Sequence, residues 1–212
     1  MDLQQLIEAV IAGNAPETKA LTEAALSDGV APQTIVDDGL IAAMGVVGEH
    51  FSRGEIYVPE MLLSARAMQS ALAIIEPLLA KADIVSRGTV VIGTVKGDVH
   101  DIGKNIVSIM LKGSAFTVHD LGVDVPAERF VEAIREHKPD VLGLSSLLTT
   151  TMPAMRTVIE ALETAGVRDQ VKVMVGGAPV TEAFALSIGA DGYGRDAVEA
   201  AEQARQLILA AG

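Results

Sequence analysis

Apolar residues along the chain repeat in two different rhythms, and the change falls near residue 85. In the first part they recur every three or four positions, the period of an amphipathic helix. Leu3, Leu6, Ile7, Val10 and Ile11 form one such stripe. The stretch 14–16, Asn-Ala-Pro, interrupts it, and a second helix runs through Leu21 and Leu26 to a stop at Ser27, Asp28 and Gly29. Pro32 can open a third helix, with Val36, Leu40, Met44, Val47 and Phe51 on one face, ending at the turn Arg53, Gly54, Glu55. Pro59 can open a fourth, with Met61, Ala65, Met68, Leu72 and Ile75 in line, and Pro77 is expected to end or kink it. Four short helices with short connections predict a small antiparallel bundle.

After residue 88, short runs rich in β-branched residues alternate with helical stretches. Strands are expected at 89–95, 116–121, 141–145 and 171–175, the second weakened by His119 and Asp120. Residues 192–194 offer a short fifth. Helices are expected at 105–111, 127–137, 154–165 and 182–187, with a last one over 197–210. This alternation implies a parallel sheet with helices on both faces, and the mostly apolar strands agree, because such a sheet is buried on both sides. The expected fold class is α/β: a four-helix domain over 1–85, then a five-stranded, doubly wound parallel sheet of flavodoxin-like or Rossmann-like type over 86–212. The polar stretch 80–88 is the expected join and hinge.

Charge and composition narrow the function classes. The net charge of −12 argues against nucleic acid, which requires a basic face to displace counterions. The acid is concentrated early, with 4 basic and 12 acidic residues in 1–85 against 12 and 16 in 86–212. That imbalance fits a solvated acidic surface, or one that steers a basic partner protein. Cysteine is absent, which removes disulfides, thiolate metal sites and a catalytic thiol. The opening MDLQQLIEAV lacks the pattern of a secretion signal, and no uncharged apolar run approaches the roughly 20 residues of a membrane span. The expectation is a cytoplasmic protein that does not engage a membrane.

Candidate chemistry gathers in the loop after the first strand, Gly97-Asp98-Val99-His100-Asp101-Ile102-Gly103-Lys104-Asn105. In open α/β sheets ligands bind beyond the carboxyl ends of strands. This is not a phosphate loop. Five residues rather than four separate Gly97 from Gly103, Asn105 follows Lys104 where Ser or Thr is needed, and no Gly-x-Gly-x-x-Gly begins here. The loop does place a carboxylate two residues before an imidazole. A ligating histidine ordinarily gives its second ring N–H to such a group. One His alone cannot build a zinc site, but it suits a metal whose other ligands come from an organic macrocycle. Asp-x-His by itself also fits a capping Asp and a surface His at a helix start, and the local residues leave that open.

The wider pattern resembles cobalamin-dependent methyltransferases. GDVHDIGKNIV over 97–107 is similar to that family's Asp-x-His-x-x-Gly signature. Gly143-Leu-Ser145-Ser-Leu147-Leu-Thr149 is similar to its Ser-x-Leu element, and Gly176-Gly177 to its paired glycines. Asp120 to Gly122, Val125-Pro126, and Tyr193 with Asp196-Ala197 also match. Upstream, Tyr57 to Pro59 and Ser64 to Arg66 resemble the family's helical cap. The likeness covers nearly the whole chain and is to the corrinoid methyl-carrier proteins of multi-component systems, similar to the cobalamin module of cobalamin-dependent methionine synthase.

The resemblance implies a cobalamin, a cobalt-containing corrinoid, whose lower nucleotide leaves the metal and inserts into the sheet domain. His100 then ligates cobalt, Asp98 hydrogen-bonds His100, and Ser145 extends that network. Leu147 and Thr149 line the tail pocket. Asp101, Ile102, Gly103, Gly176, Gly177, Tyr193 and Asp196 complete the expected cofactor set, with glycines admitting a bulky tail. The four-helix cap would cover the upper face, with Tyr57, Met61 or Leu62 over the methyl group. No residue is expected to act as a catalyst by itself. His50, His119 and His137 are expected to be structural, while Lys104 and Asn105 meet cofactor edges or solvent. The implied partners are a donor-specific methyltransferase, a folate- or thiol-dependent methyltransferase and a reductive activation protein, since the chain itself is expected to lack donor- and folate-binding barrels. The donor could be methanol, a methylamine, glycine betaine or a methoxylated aromatic. A cobalamin-sensing module without methyl transfer is the alternative, ahead of a mutase-type cobalamin domain and a flavodoxin-like flavin binder.

Overall fold

The computed structural model describes residues 3–79 and 87–210. Most of the expected join at 80–88 therefore lies outside the described residues. The chain divides into two units, Met1–Ser86 with Lys112–Ala115, and Arg87–Leu111 with Phe116–Gly212.

The first unit is helical: α1 (Gln4–Ile11), α2 (Ala15–Ser27), α3 (Pro32–Thr34), a π-helical segment (Ile35–Ile41), α4 (Ala42–Ser52) and α5 (Val58–Leu79). Asn14 caps α2 by accepting the Glu17 N–H at 3.3 Å, next to Pro16 in the first turn. The third expected helix is one run from Pro32 to Ser52 that widens into a π segment. Its stripe residues Val36, Leu40, Met44 and Val47 are buried. Within that segment sits Gly39, where an added Cβ would lie 3.1 Å from Leu6, so α1 approaches closely there. In α5, Met61, Ala65, Met68 and Ile75 are buried as the spacing required. Pro77 does not end this helix, which continues to Leu79. A proline so near the terminus removes a hydrogen bond of the last turn without stopping the backbone. Ser64 is buried because its hydroxyl donates to the Ile11 carbonyl at 3.0 Å, tying α5 to the end of α1.

The second unit is a parallel sheet of β1 (Thr89–Thr94), β2 (Thr117–Asp120), β3 (Val141–Ser145), β4 (Lys172–Gly176) and β5 (Gly192–Gly194). The strand order is β2-β1-β3-β4-β5, with every pair parallel. Its helices are α6 (Ile102–Gly113), α7 (Ala127–His137), α8 (Pro153–Thr164), α9 (Glu182–Ser187) and α10 (Ala197–Leu209). Right-handed crossovers place α7, α8 and α9 on one face and α6 and α10 on the other. The first face is the core, where Val91, Leu142, Leu144, Val173 and Val175 meet Phe130, Ile134, Met155 and Leu162. Gly93 makes room for it, since a Cβ there would lie 2.8 Å from the Phe130 ring. Burying that ring contributes on the order of 2–3 kcal/mol.

The chain leaves β1 toward β2 on one side and reaches β3 on the other. The loops after β1 and β3 therefore flank the point where strand order reverses, the usual ligand crevice of such sheets. Among the described residues no helix is long and apolar enough to cross a membrane.

Candidate functional site

Asp98 is fully buried at the end of the β1 loop. Gly97, at φ +84°, makes the turn that delivers it. The Gly97 N–H donates to Asp124 Oδ1 at 2.8 Å, and the Asp124 N–H donates to the Asp98 carbonyl at 2.9 Å. The loop is thus fixed to the segment after β2.

The Asp98 carboxylate accepts from two loops at once. Oδ1 takes the His100 backbone N–H at 3.0 Å and the ring Nδ1–H at 2.7 Å. Oδ2 takes the Leu147 and Leu148 N–H groups at 2.8 and 3.2 Å and the Thr151 hydroxyl at 2.8 Å. Ser146 Oγ lies 3.4 Å from Oδ2 and 2.8 Å from Thr151 Oγ1. Burial alone would raise the carboxyl pKa. The donors from His100, Leu147 and Thr151 outweigh it and hold the group well below the usual carboxylate range. An ionised Asp98 can only accept, so Nδ1 is the donor in this bond and Nε2 is the ring nitrogen left for another partner. Nε2 has no hydrogen-bond partner among the described residues, and the His100 side chain is 45% exposed. The Thr94 hydroxyl donates to the His100 carbonyl at 2.9 Å and fixes the backbone beneath the ring.

Around this imidazole the loops expose apolar side chains. Val99 is 69% and Ile102 74% exposed, and Leu147 and Leu148 are also exposed. Among the described residues no group of three or more His, Asp or Glu could hold a metal ion. A half-exposed imidazole with one free nitrogen and an apolar surround fits a metal that brings its other ligands in a flat organic ring.

The sheet face under α6 and α10 provides a second feature. The strand register aligns Thr94, Ser145, Gly176 and Gly194 in one row across four strands. Behind them come Ile92, Gly143, Met174 and Gly192. Side chains alternate between faces along a strand, so both rows belong to the face opposite the Phe130 core. At its β5 end this face is closely covered by α10, since a Cβ at Gly194 would lie 2.7 Å from Ala200 and one at Gly192 3.1 Å from Leu207.

The expected site residues divide under this geometry. Asp98 and His100 are brought together, and Leu147 joins them through its backbone. Ser145 is not among the donors to Asp98; the network runs through Ser146 and Thr151 instead, because successive residues leave the strand on opposite faces. Asp101 accepts from Asn105, at its carbonyl from the N–H at 2.8 Å and at Oδ2 from the side-chain amide at 3.1 Å. Lys104 is buried and ion-paired to Asp120. Gly103 is exposed, and a Cβ there would meet nothing within 4 Å. At Gly176 and Gly177 the missing Cβ is used by the protein's own backbone, since a Cβ would lie 2.8 Å from the Gly194 carbonyl oxygen and 1.9 Å from that of Ser146. Thr149 is exposed. Asp196 caps α10, accepting from the Val198 and Glu199 N–H groups at 3.0 and 2.9 Å. Tyr193 is not brought to His100. It packs against the Phe130 core on the other face and borders a cleft of about 310 Å³ near α9, with Leu186 and Arg195.

Residues 88–202 match the B12 binding domain family, and residues 2–76 match a second B12 binding domain family. The chain belongs to the cobalamin-binding corrinoid proteins. This corrinoid protein is 44% identical over 207 residues to the dimethylamine corrinoid protein of Methanosarcina barkeri, covering 97% of each chain. It is 47% identical over 186 residues to the trimethylamine corrinoid protein of the same organism, covering 87% of this chain and 86% of that one. Its fold matches a chain of the methanol:cobalamin methyltransferase complex MtaBC from Methanosarcina barkeri with TM-score 0.82 and 34% identity, over 98% of this chain and 79% of that one. The cofactor is a cobalamin-type corrinoid, and the chain is a methyl-carrying corrinoid protein.

Proposed function

We propose that this corrinoid protein carries a methyl group between a donor-specific methyltransferase and an acceptor methyltransferase that uses a folate or a thiol. The corrinoid supplies the organometallic chemistry, with cobalt as the site of methyl attachment. The protein supplies the lower ligand, orientation and shielding. His100 Nε2 is assigned to cobalt, and Asp98 holds the ring and raises its basicity through Nδ1–H. The observation that carries this reading is the buried, ionised Asp98 fixed by donors from two loops while presenting His100 with Nε2 free amid exposed apolar side chains. The other cofactor contacts we assign to Ile102, Gly103, Leu147 and Thr149 around the ring and tail, with Ser145 flanking the tail. The helical unit, residues 1–85, is assigned to a cap domain and residues 86–212 to the cobalamin-binding domain.

A methylated amine is the proposed donor, because the relatives named for dimethylamine and trimethylamine match over most of the chain. The donor methyltransferase would be amine-specific, and a reductive activation protein would return oxidised cobalt to service. We place this chemistry in the cytoplasm.

Electron paramagnetic resonance of the Co(II) form tests the site. Splitting by one axial nitrogen that changes on labelling histidine with nitrogen-15 supports His100 ligation, and splitting unaffected by the label overturns it. Steady methyl transfer by the purified chain without partners would contradict the carrier role.

A further inference from the structure

Three non-glycine residues among those described have a positive φ: Ala115, Asp124 and Lys138. Ala115 follows the end of α6 and Lys138 caps α7, where a left-handed residue is an ordinary helix stop. Asp124, at φ +52°, ends no helix. It lies in the segment between β2 and α7, and Asp is one of the few L residues that tolerate this conformation. Such a residue persists where the surrounding structure holds it.

What surrounds it is the turn that carries Asp98. The Asp98 N–H donates to the Val95 carbonyl at 3.1 Å, closing a turn over Lys96 and Gly97. Asp124 bridges that turn with two bonds of opposite direction. Its Oδ1 accepts the Gly97 N–H at 2.8 Å, and its own N–H donates to the Asp98 carbonyl at 2.9 Å. Asp124 is itself anchored. The Val125 N–H donates to the Thr94 carbonyl and the Thr94 N–H to the Gly122 carbonyl, each at 3.0 Å, so this segment is laid against the end of β1. Lys96 lies 3.7 Å from Asp124 Oδ1, with both side chains half exposed or more, and an ion pair of that kind contributes little. Asp124 therefore serves the turn as a fixed acceptor more than as a charge.

We propose that Asp124 is a positioning residue for the lower cobalt ligand, acting through the turn that carries Asp98. The proposal rests on the assignment of His100 Nε2 to cobalt. The β3 loop holds Asp98 by its carboxylate, and Asp124 holds it by its main chain. Without Asp124 Oδ1 the Gly97 peptide loses its acceptor and the turn loosens. The Asp98 carboxylate then no longer sets a single position for the His100 ring, and histidine binds Co(II) less tightly. One hydrogen bond of ordinary strength corresponds to about fivefold in that binding.

The experiment compares two variants of the cobalamin-loaded protein. Asp124→Gly admits the positive φ and keeps the backbone N–H, but removes Oδ1. Asp124→Asn tolerates the same φ and keeps a side-chain oxygen as acceptor, but removes the charge. The Co(II)/Co(I) midpoint potential is measured by spectroelectrochemical titration. Histidine stabilises Co(II) and is lost from Co(I), so weaker histidine binding makes reduction easier. A fivefold loss in Asp124→Gly is expected to raise the midpoint by about 40 mV, at 59 mV per tenfold. Asp124→Asn is expected to shift by less than half as much. An unchanged midpoint in Asp124→Gly overturns the proposal. Equal shifts in the two variants also overturn it, because they assign the effect to the lost charge. The underlying reading is tested separately by the wild-type Co(II) resonance: a splitting indifferent to nitrogen-15 histidine overturns His100 ligation itself, whatever the variants do.

Discussion

One oxygen of Asp98 accepts both the backbone N–H and the ring Nδ1–H of His100, at 3.0 and 2.7 Å. The carboxylate therefore sets the position of the residue and the tautomer of its ring together. Asp98→Asn preserves size but removes the charge, and its amide end would face donors from the β3 loop. Loss of such a partner commonly costs about 10–100-fold in metal affinity or activity. Corrinoid is expected to remain bound through its tail, with the Co(II) spectrum showing a reduced fraction of histidine ligation. A spectrum and midpoint potential identical to wild type would reduce Asp98 to a turn residue.

Thr151 tests the same network from the other loop. Its hydroxyl donates to Asp98 Oδ2 at 2.8 Å and lies 2.8 Å from Ser146 Oγ. Thr151→Val keeps the shape and removes a bond to a charged acceptor. The expected loss in urea denaturation of the apo protein is about 1.5–3 kcal/mol, with the m-value unchanged. Ser146→Ala, at 3.4 Å from the carboxylate, is expected to lose less.

Much of this architecture is written in local sequence. β3, β5, α7 and α9 occupy the residues their periodicity predicts, because each run is bounded by turn residues that leave one register. α6 begins three residues earlier than its apolar stripe, at Ile102, since its first turn is Gly103, Lys104 and Asn105 and carries no pattern. Asp98 and His100 were legible as a pair, whereas Ser146 and Thr151 were not. The β3 loop contains hydroxyls at Ser145, Ser146, Thr149, Thr150 and Thr151, and which of them turns inward depends on how the loop closes on Asp98. A signal for Tyr193 was present. It sits between Gly192 and Gly194, and strand alternation puts it on the face opposite those two glycines.

Gly177 is the most exacting position in the second unit. Its φ is +126°, and a Cβ would lie 1.9 Å from the Ser146 carbonyl oxygen. Ser146 is half of the hydroxyl pair beside Asp98, so strain at Gly177 passes directly into the site. Gly177→Ala is expected to cost about 3 kcal/mol or more through backbone strain and overlap together, and to lower Tm accordingly. Gly103→Ala supplies the contrast, because a Cβ there meets no atom within 4 Å. It is expected to leave the apo fold within about 0.5 kcal/mol of wild type, and a large loss of apo stability would show that α6 starts differently.

His119 and His137 give the fold a pH dependence separate from the cofactor site. Their rings stack with centroids 3.9 Å apart, joining β2 to the end of α7. Burial and the neighbouring His137 lower the His119 pKa below its ordinary 6.5, and Glu136 only partly counteracts them. The unfolded chain therefore takes up a proton at a higher pH than the folded chain does. The stabilisation is complete above pH 6.5 and declines as pH falls below that value toward the folded-state pKa. Chemical denaturation of the apo protein at steps between about pH 5 and 7.5 should show this decline, before most carboxylates titrate. His119→Phe keeps an aromatic ring against His137 and removes the titrating group. Its stability is expected to vary less across that interval than the wild type's. An unchanged slope would assign the pH dependence to other groups and leave the stacked pair a packing contact.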